Sequence, residues 1–133
     1  MDSVSSLSIP PLQYLVAYLV PVMFLGVFVS AFVSPHALSV SASFPPPTDQ
    51  TSLTFFHLFA IRQLCLGLTL LILEACNEWR AVVIVLACIG VNGICDFSLS
   101  AASGAGWWSS FKTHGIPTVV AYWTVWKLWQ EHW

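Results

Sequence analysis

Hydrophobic positions in this chain neither alternate nor recur as a single stripe; they run on. Four apolar stretches, about residues 12 to 33, 53 to 75, 81 to 102 and 114 to 129, are separated by polar breaks. A run that is apolar all round reads as a helix buried in protein or lipid, because a helix half in water needs a polar face. The first three are long enough to cross a hydrocarbon layer of about 30 Å at about 1.5 Å per residue. Pro10 and Pro11 open the first, Pro21 is expected to kink it, and Ser34-Pro35 closes it. Thr48, Asp49, Thr51 and Ser52 supply caps for the second, and Ser103-Gly104-Ala105-Gly106 breaks the third. Pro117 falls in the first turn of the short fourth run, where Trp123, Trp126 and Trp129 follow at helical spacing as an interfacial stripe. The pattern predicts an all-α, polytopic membrane protein, a single domain built as an antiparallel four-transmembrane-helix bundle.

The connections differ in kind. Residues 76 to 80 make a tight turn in which Glu78 and Arg80 are solvated charges. Residues 34 to 52 are long for so small a protein, and a loop of that length is either functional or a plain linker. It reads as a lid in which Pro45-Pro46-Pro47 adds stiffness and Phe44 is the large apolar residue suited to dip into a cavity. The start of the chain has no Lys or Arg before the first apolar run, so that run is expected to stay in the mature protein.

Composition agrees with the pattern: 57% of the 133 residues are hydrophobic and 8% are charged. That balance is a membrane composition, since a soluble fold of this size would lack polar residues for its surface. A net charge of -2 without a basic cluster argues against nucleic acid as a partner. Cys65, Cys76, Cys88 and Cys95 show no metal-ligand spacing and read as small packing residues, and no cofactor or metal is called for. The expected partners are a lipophilic small molecule and the lipid bilayer; a homodimer stays open. The endoplasmic reticulum membrane is the expected location.

Two charges fall inside apolar runs, Arg62 and Asp96. Each costs about 2.5 to 3.5 kcal/mol to insert, which makes an intramembrane ionised residue a candidate site or half of a buried pair. Counted from the helix middles they lie about 3 Å and about 6 Å from the midplane, both toward the long loop. Pairing would relieve much of the cost of burial. Cys88, Asn92, Asp96 and Ser100 form a small and polar stripe, Arg62, Cys65 and Thr69 another, and the two are expected to face each other. Gln63 lies at a similar depth. His114 opens the fourth run beneath the loop and His57 precedes Arg62 on the second, while Glu74 reads as an interfacial residue at the opposite end. A carboxylate, guanidinium, carboxamide and imidazole in a dry cavity are parts for acid-base catalysis: Asp96 working on water, Asn92 and Gln63 positioning it, Arg62 stabilising a developing anion, His114 as complementary acid.

The order Phe24-Leu25-Gly26, Ser34-Pro35, Arg62-Gln63-Leu64-Cys65-Leu66-Gly67-Leu68, Arg80, Asp96 and His114 resembles a family of small fungal four-helix membrane proteins from biosynthetic gene clusters. Some of its members look related to the membrane-bound epoxide hydrolases of polyene-pyrone polyketide pathways of the aurovertin and citreoviridin type. The resemblance implies opening of a polyketide epoxide by water or an internal hydroxyl, with Arg62, Asp96 and His114 at the matching positions. It leaves the second carboxylate of a two-acid mechanism unassigned, for which Asp49 is the nearby candidate. Competing readings are a membrane isomerase or cyclase acting on a terpenoid or sterol-like substrate, and a non-enzymatic small-molecule binding or transport protein. Small multidrug transporters typically carry a carboxylate in the first helix, and this first helix has none.

Overall fold

The computed structural model describes residues 9–133; the expectation about how the chain begins rests on residues 1–8 and lies outside them. Among the described residues, the elements are α1 (Leu12–Val33), α2 (Pro35–Ser41), α3 (Gln50–Ala75), α4 (Trp79–Ser100), α5 (Trp107–Ser110) and α6 (Ile116–His132), all helical. π-helical turns at Ala101–Ala105 and Phe111–Gly115 flank α5. Three stretches, Leu12–Val33, Gln50–Ala75 and Trp79–Ala105, are long and apolar enough to cross a membrane.

Local chemistry sets the ends of these helices. The Asp49 carboxylate accepts the Ser52 N–H at 2.7 Å while the Ser52 hydroxyl faces the Asp49 N–H, a reciprocal cap that starts α3 at Gln50, ahead of the apolar run. That bond from Ser52 holds the Asp49 carboxyl below its ordinary range. At the other end of α3, Asn77 takes a left-handed φ of 59°, and the N–H groups of Asn77 and Glu78 reach back to the Glu74 and Leu73 carbonyls. This closure leaves few residues before α4 begins. Gly104 and Gly106, with φ of 94° and 85°, carry the break after α4.

α1 packs along α3 and α4 along α6, and the two antiparallel pairs close on each other. Gly67 makes the first pairing tight: a Cβ there would sit 3.2 Å from the Pro21 carbonyl oxygen and from the Phe24 Cβ. Gly90 does the same for the second, facing the Tyr122 ring. The core of Ala17, Leu70, Trp79, Val82, Val83, Leu86 and Leu128 fills the half near the 76–78 turn. Toward the long loop the bundle opens into a hollow whose lining reaches down α1 to Val16.

Outside, large apolar side chains are exposed on every long helix, for example Leu19 at 64%, Ile72 at 62% and Val119 at 62%. A belt this extensive marks a surface made for an apolar surrounding. All four cysteines are exposed within it, contrary to the packing role expected of them.

Candidate functional site

The hollow is a cavity of about 610 Å³ between α1, α3, α4, α6 and the 38–44 segment. Phe24 and Leu86 border it on the core side, and Val16, Val20, Val27, Phe56, Phe59 and Ile89 add to its apolar lining. Its polar groups are Gln63, Asn92, Asp96, Thr113, His114 and Thr118, of which Asp96 and His114 are the ionisable ones. The cavity is thus an apolar chamber with one polar corner, the usual build of a small-molecule site.

α4 presents that corner from one side. Leu86, Gly90 and Ser100 define its buried stripe, and Asn92 and Asp96, half-buried beside it, look into the hollow. Cys88, expected on the same stripe, is exposed. Gly93 allows this closeness, because any Cβ there would collide with the Thr118 hydroxyl of the facing segment.

His114 comes from the π-helical turn before α6. Its Nε2 lies 2.8 Å from the Ala42 carbonyl, and its ring is 5.2 Å from that of Phe44. A carbonyl can only accept, so Nε2 carries a proton and Nδ1 is the position left for exchange. The Thr118 hydroxyl donates to the His114 carbonyl at 2.6 Å, pinning the backbone that carries the imidazole. Gln63 enters from α3; it is 8% exposed and its Oε1 has no hydrogen-bond partner. A buried amide oxygen left bare costs free energy unless something else satisfies it, and here the open space beside it is the cavity.

Three residues expected at the site stand elsewhere. Arg62 is exposed, does not line the cavity, and lays its guanidinium over the Phe59 ring at 5.4 Å. Its expected inward stripe with Cys65 and Thr69 gives way to Ala60, Gln63, Gly67, Leu70 and Glu74, because the tight approach at Gly67 fixes which face of α3 turns in. His57 stacks on Phe32 with centroids 4.3 Å apart, away from the cavity. Asp49 is exposed and committed to capping α3, so it supplies no second carboxylate. Glu74, read as interfacial, is 7% exposed with both carboxylate oxygens unpartnered.

Thr113, Thr118 and the small residues that let helices close on the site were missed in sequence. The one signal available was the spacing of Thr118 four residues after His114, which puts both on one side of a helical turn.

The chain matches the family described as Domain of unknown function (DUF4267) over residues 21–130. It belongs to that family. No curated protein and no solved structure matches it.

Proposed function

We propose that this DUF4267 protein is a four-helix membrane enzyme, resident in the endoplasmic reticulum, that opens an epoxide of a lipophilic polyketide-type molecule. The observation that carries the proposal is that Asp96 and His114 are the ionisable groups lining a mainly apolar chamber of about 610 Å³. Apolar walls select a hydrocarbon-like substrate, and the polar corner is where a strained C–O bond would meet acid and base.

The chemistry balances with these two groups. The Asp96 carboxylate takes a proton from water, or from a hydroxyl of the substrate, as that oxygen attacks an epoxide carbon. The C–O bond breaks, and the His114 imidazolium returns a proton from Nδ1 to the departing oxygen. A diol or a cyclic ether results, and one proton moving from Asp96 to His114 through solvent resets the site. Asn92 and Gln63 offer carboxamides to hold the attacking or departing oxygen. Arg62 has no part in this scheme because it lies outside the chamber.

Purified protein in lipid vesicles, given a long-chain polyene epoxide, is expected to form diol or cyclic ether detectable by mass spectrometry against protein-free vesicles. Asp96→Asn keeps shape and loses basicity, so turnover should fall on the order of 10²- to 10⁴-fold with the thermal midpoint unchanged. Full activity in Asp96→Asn removes the carboxylate from the mechanism. An alkene shifted in position with the epoxide intact would point to an isomerase instead.

A further inference from the structure

A second hollow of about 400 Å³ lies between the long loop and the 103–109 segment, lined by Val40, Ser43, Phe44, Pro45, Ser103, Gly104, Ala105 and Ser109. Its chemistry differs from that of the inner chamber: Ser43 and the exposed Ser103, Gly104 and Ser109 make up half of its lining, beside Val40, Phe44, Pro45 and Ala105. Phe44 alone lines both hollows. Phe44 therefore stands where the two hollows adjoin, with its ring 5.2 Å from that of His114 on the inner side.

Beside that ring runs a chain of hydroxyls. Ser109 Oγ is 3.0 Å from Ser43 Oγ, which is 3.1 Å from Thr113 Oγ1. Ser109 lines the outer hollow and Thr113 the inner one, so the chain runs from one to the other. Thr113 gives its proton to the Ser109 carbonyl at 2.9 Å. With that proton engaged, Ser43 donates to Thr113 and accepts from Ser109, which polarises the chain inward. Ser43 is held in the left-handed region at φ 58° while its carbonyl accepts the Ser100 hydroxyl at 2.8 Å. A serine kept there against its preference marks a position the surroundings impose.

The inner chamber has a different mouth of its own. Leu19, Val22 and Met23 of α1 and Val120 of α6 line it and are also exposed, at 64%, 58%, 51% and 40%. That mouth is apolar throughout and opens sideways through the exposed belt.

We propose that the two openings are separate inlets: lipophilic substrate enters sideways between α1 and α6, while water and protons reach the Asp96 corner past Phe44 along Ser109, Ser43 and Thr113. The inference rests on the functional reading above and refines it, because Phe44 then sets how much water competes with a hydroxyl of the substrate for the epoxide. Rotation of the Thr113 hydroxyl off the Ser109 carbonyl toward the chamber completes the proton path. An aromatic plug excludes water from an apolar passage by leaving no room for a hydrated column.

The test needs a readout that does not depend on turnover. Ala121 lines the inner chamber and takes a cysteine with little change in volume. In lipid nanodiscs, Ala121→Cys should react slowly with a charged methanethiosulfonate, followed at that residue by peptide mass spectrometry. Adding Phe44→Ala, or Phe44→Val should the first not fold, is expected to speed labelling on the order of tenfold, since the charged reagent cannot take the apolar mouth. Equal rates with and without Phe44 overturn the inlet.

A second arm uses a long-chain epoxide carrying a hydroxyl placed to close a tetrahydrofuran, in heavy-oxygen water. Phe44→Ala should raise the share of labelled, water-opened product over unlabelled ether, and Thr113→Val should slow turnover without changing labelling at Ala121→Cys. An unchanged product ratio in Phe44→Ala removes its role in water competition. Faster labelling with no turnover of this probe or of the polyene epoxide in any variant keeps the inlet and overturns the epoxide reading.

Discussion

Arg62 and Gln63 are neighbours, yet one helical step of about 100° sends the first outward and the second to the chamber wall. Charge economy alone favours the reverse, since burial against Asp96 would compensate the guanidinium. The backbone decides otherwise: Gly67 must meet Pro21 and Phe24, and Gln63 shares its face. Arg62 keeps its charge outside, its stem along the helix and its head over Phe59. Glu74 lies on that same inward face, with neither carboxylate oxygen bonded. A buried polar group without a partner costs about 1 to 3 kcal/mol, so Glu74→Leu should raise the thermal midpoint in detergent or nanodiscs. A lowered midpoint would show that Glu74 is satisfied by a bound group and serves the fold.

At the scale of elements, the long helices were legible because continuous apolar runs bounded by proline, glycine and capping residues leave few other structures. Asp96, Asn92, Gln63 and His114 were legible as a group for a related reason: polar side chains in apolar helices collect at one hollow. What stayed hidden was rotation and spacing. Cys88 and Arg62 were given inward faces on the strength of polarity, but the packing surface of each helix is set by where a glycine admits a neighbour. The short helix α2 was hidden as well, because seven residues, Pro35–Ser41, carry too little pattern to separate a helix from a loop. Gly90 gives the spacing argument its test, since a Cβ there would lie 2.7 Å from Tyr122 Cζ and 2.8 Å from Cε2. The half-buried Tyr122 ring would have to swing away from its place on α4 to admit that Cβ, so Gly90→Ala should destabilise by about 1 to 3 kcal/mol. Gly90→Ala combined with Tyr122→Leu should recover most of that loss in thermal unfolding. Additive losses would mean that the two residues do not press on each other.

At the scale of the whole molecule, the end of α6 comes back to the start of α1. The Gln13 amide meets the Glu131 carboxylate, and the Tyr14 hydroxyl lies 2.7 Å from Glu131 Oε2 and 3.0 Å from His132 Nε2. Trp79, just past the 76–78 turn, stacks on His132 with centroids 6.0 Å apart, so that turn sits at the same end. The Ser43 and Ser109 contact holds the long loop to the segment between α4 and α6 at the other. Three crossings would leave the start of α1 and the end of α6 on opposite faces of a bilayer and four would leave them on one; the contacts bring these two segments together at one end of the bundle, which agrees with the four-crossing proposal. On that proposal α6 is the return path: its 17 residues, extended by the 5 of the π-helical turn before it, reach about 33 Å. That length suffices for a hydrocarbon layer of about 30 Å despite its lower hydropathy. Tags on the two termini should therefore be digested together, or protected together, in sealed microsomes of one orientation, with a glycosylation acceptor inserted at residues 45–48 modified only when they face the cytosol. Termini found on opposite faces would reduce the bundle to three crossings and place α6 along the membrane surface. The chamber would then lose the wall that brings His114 to Asp96.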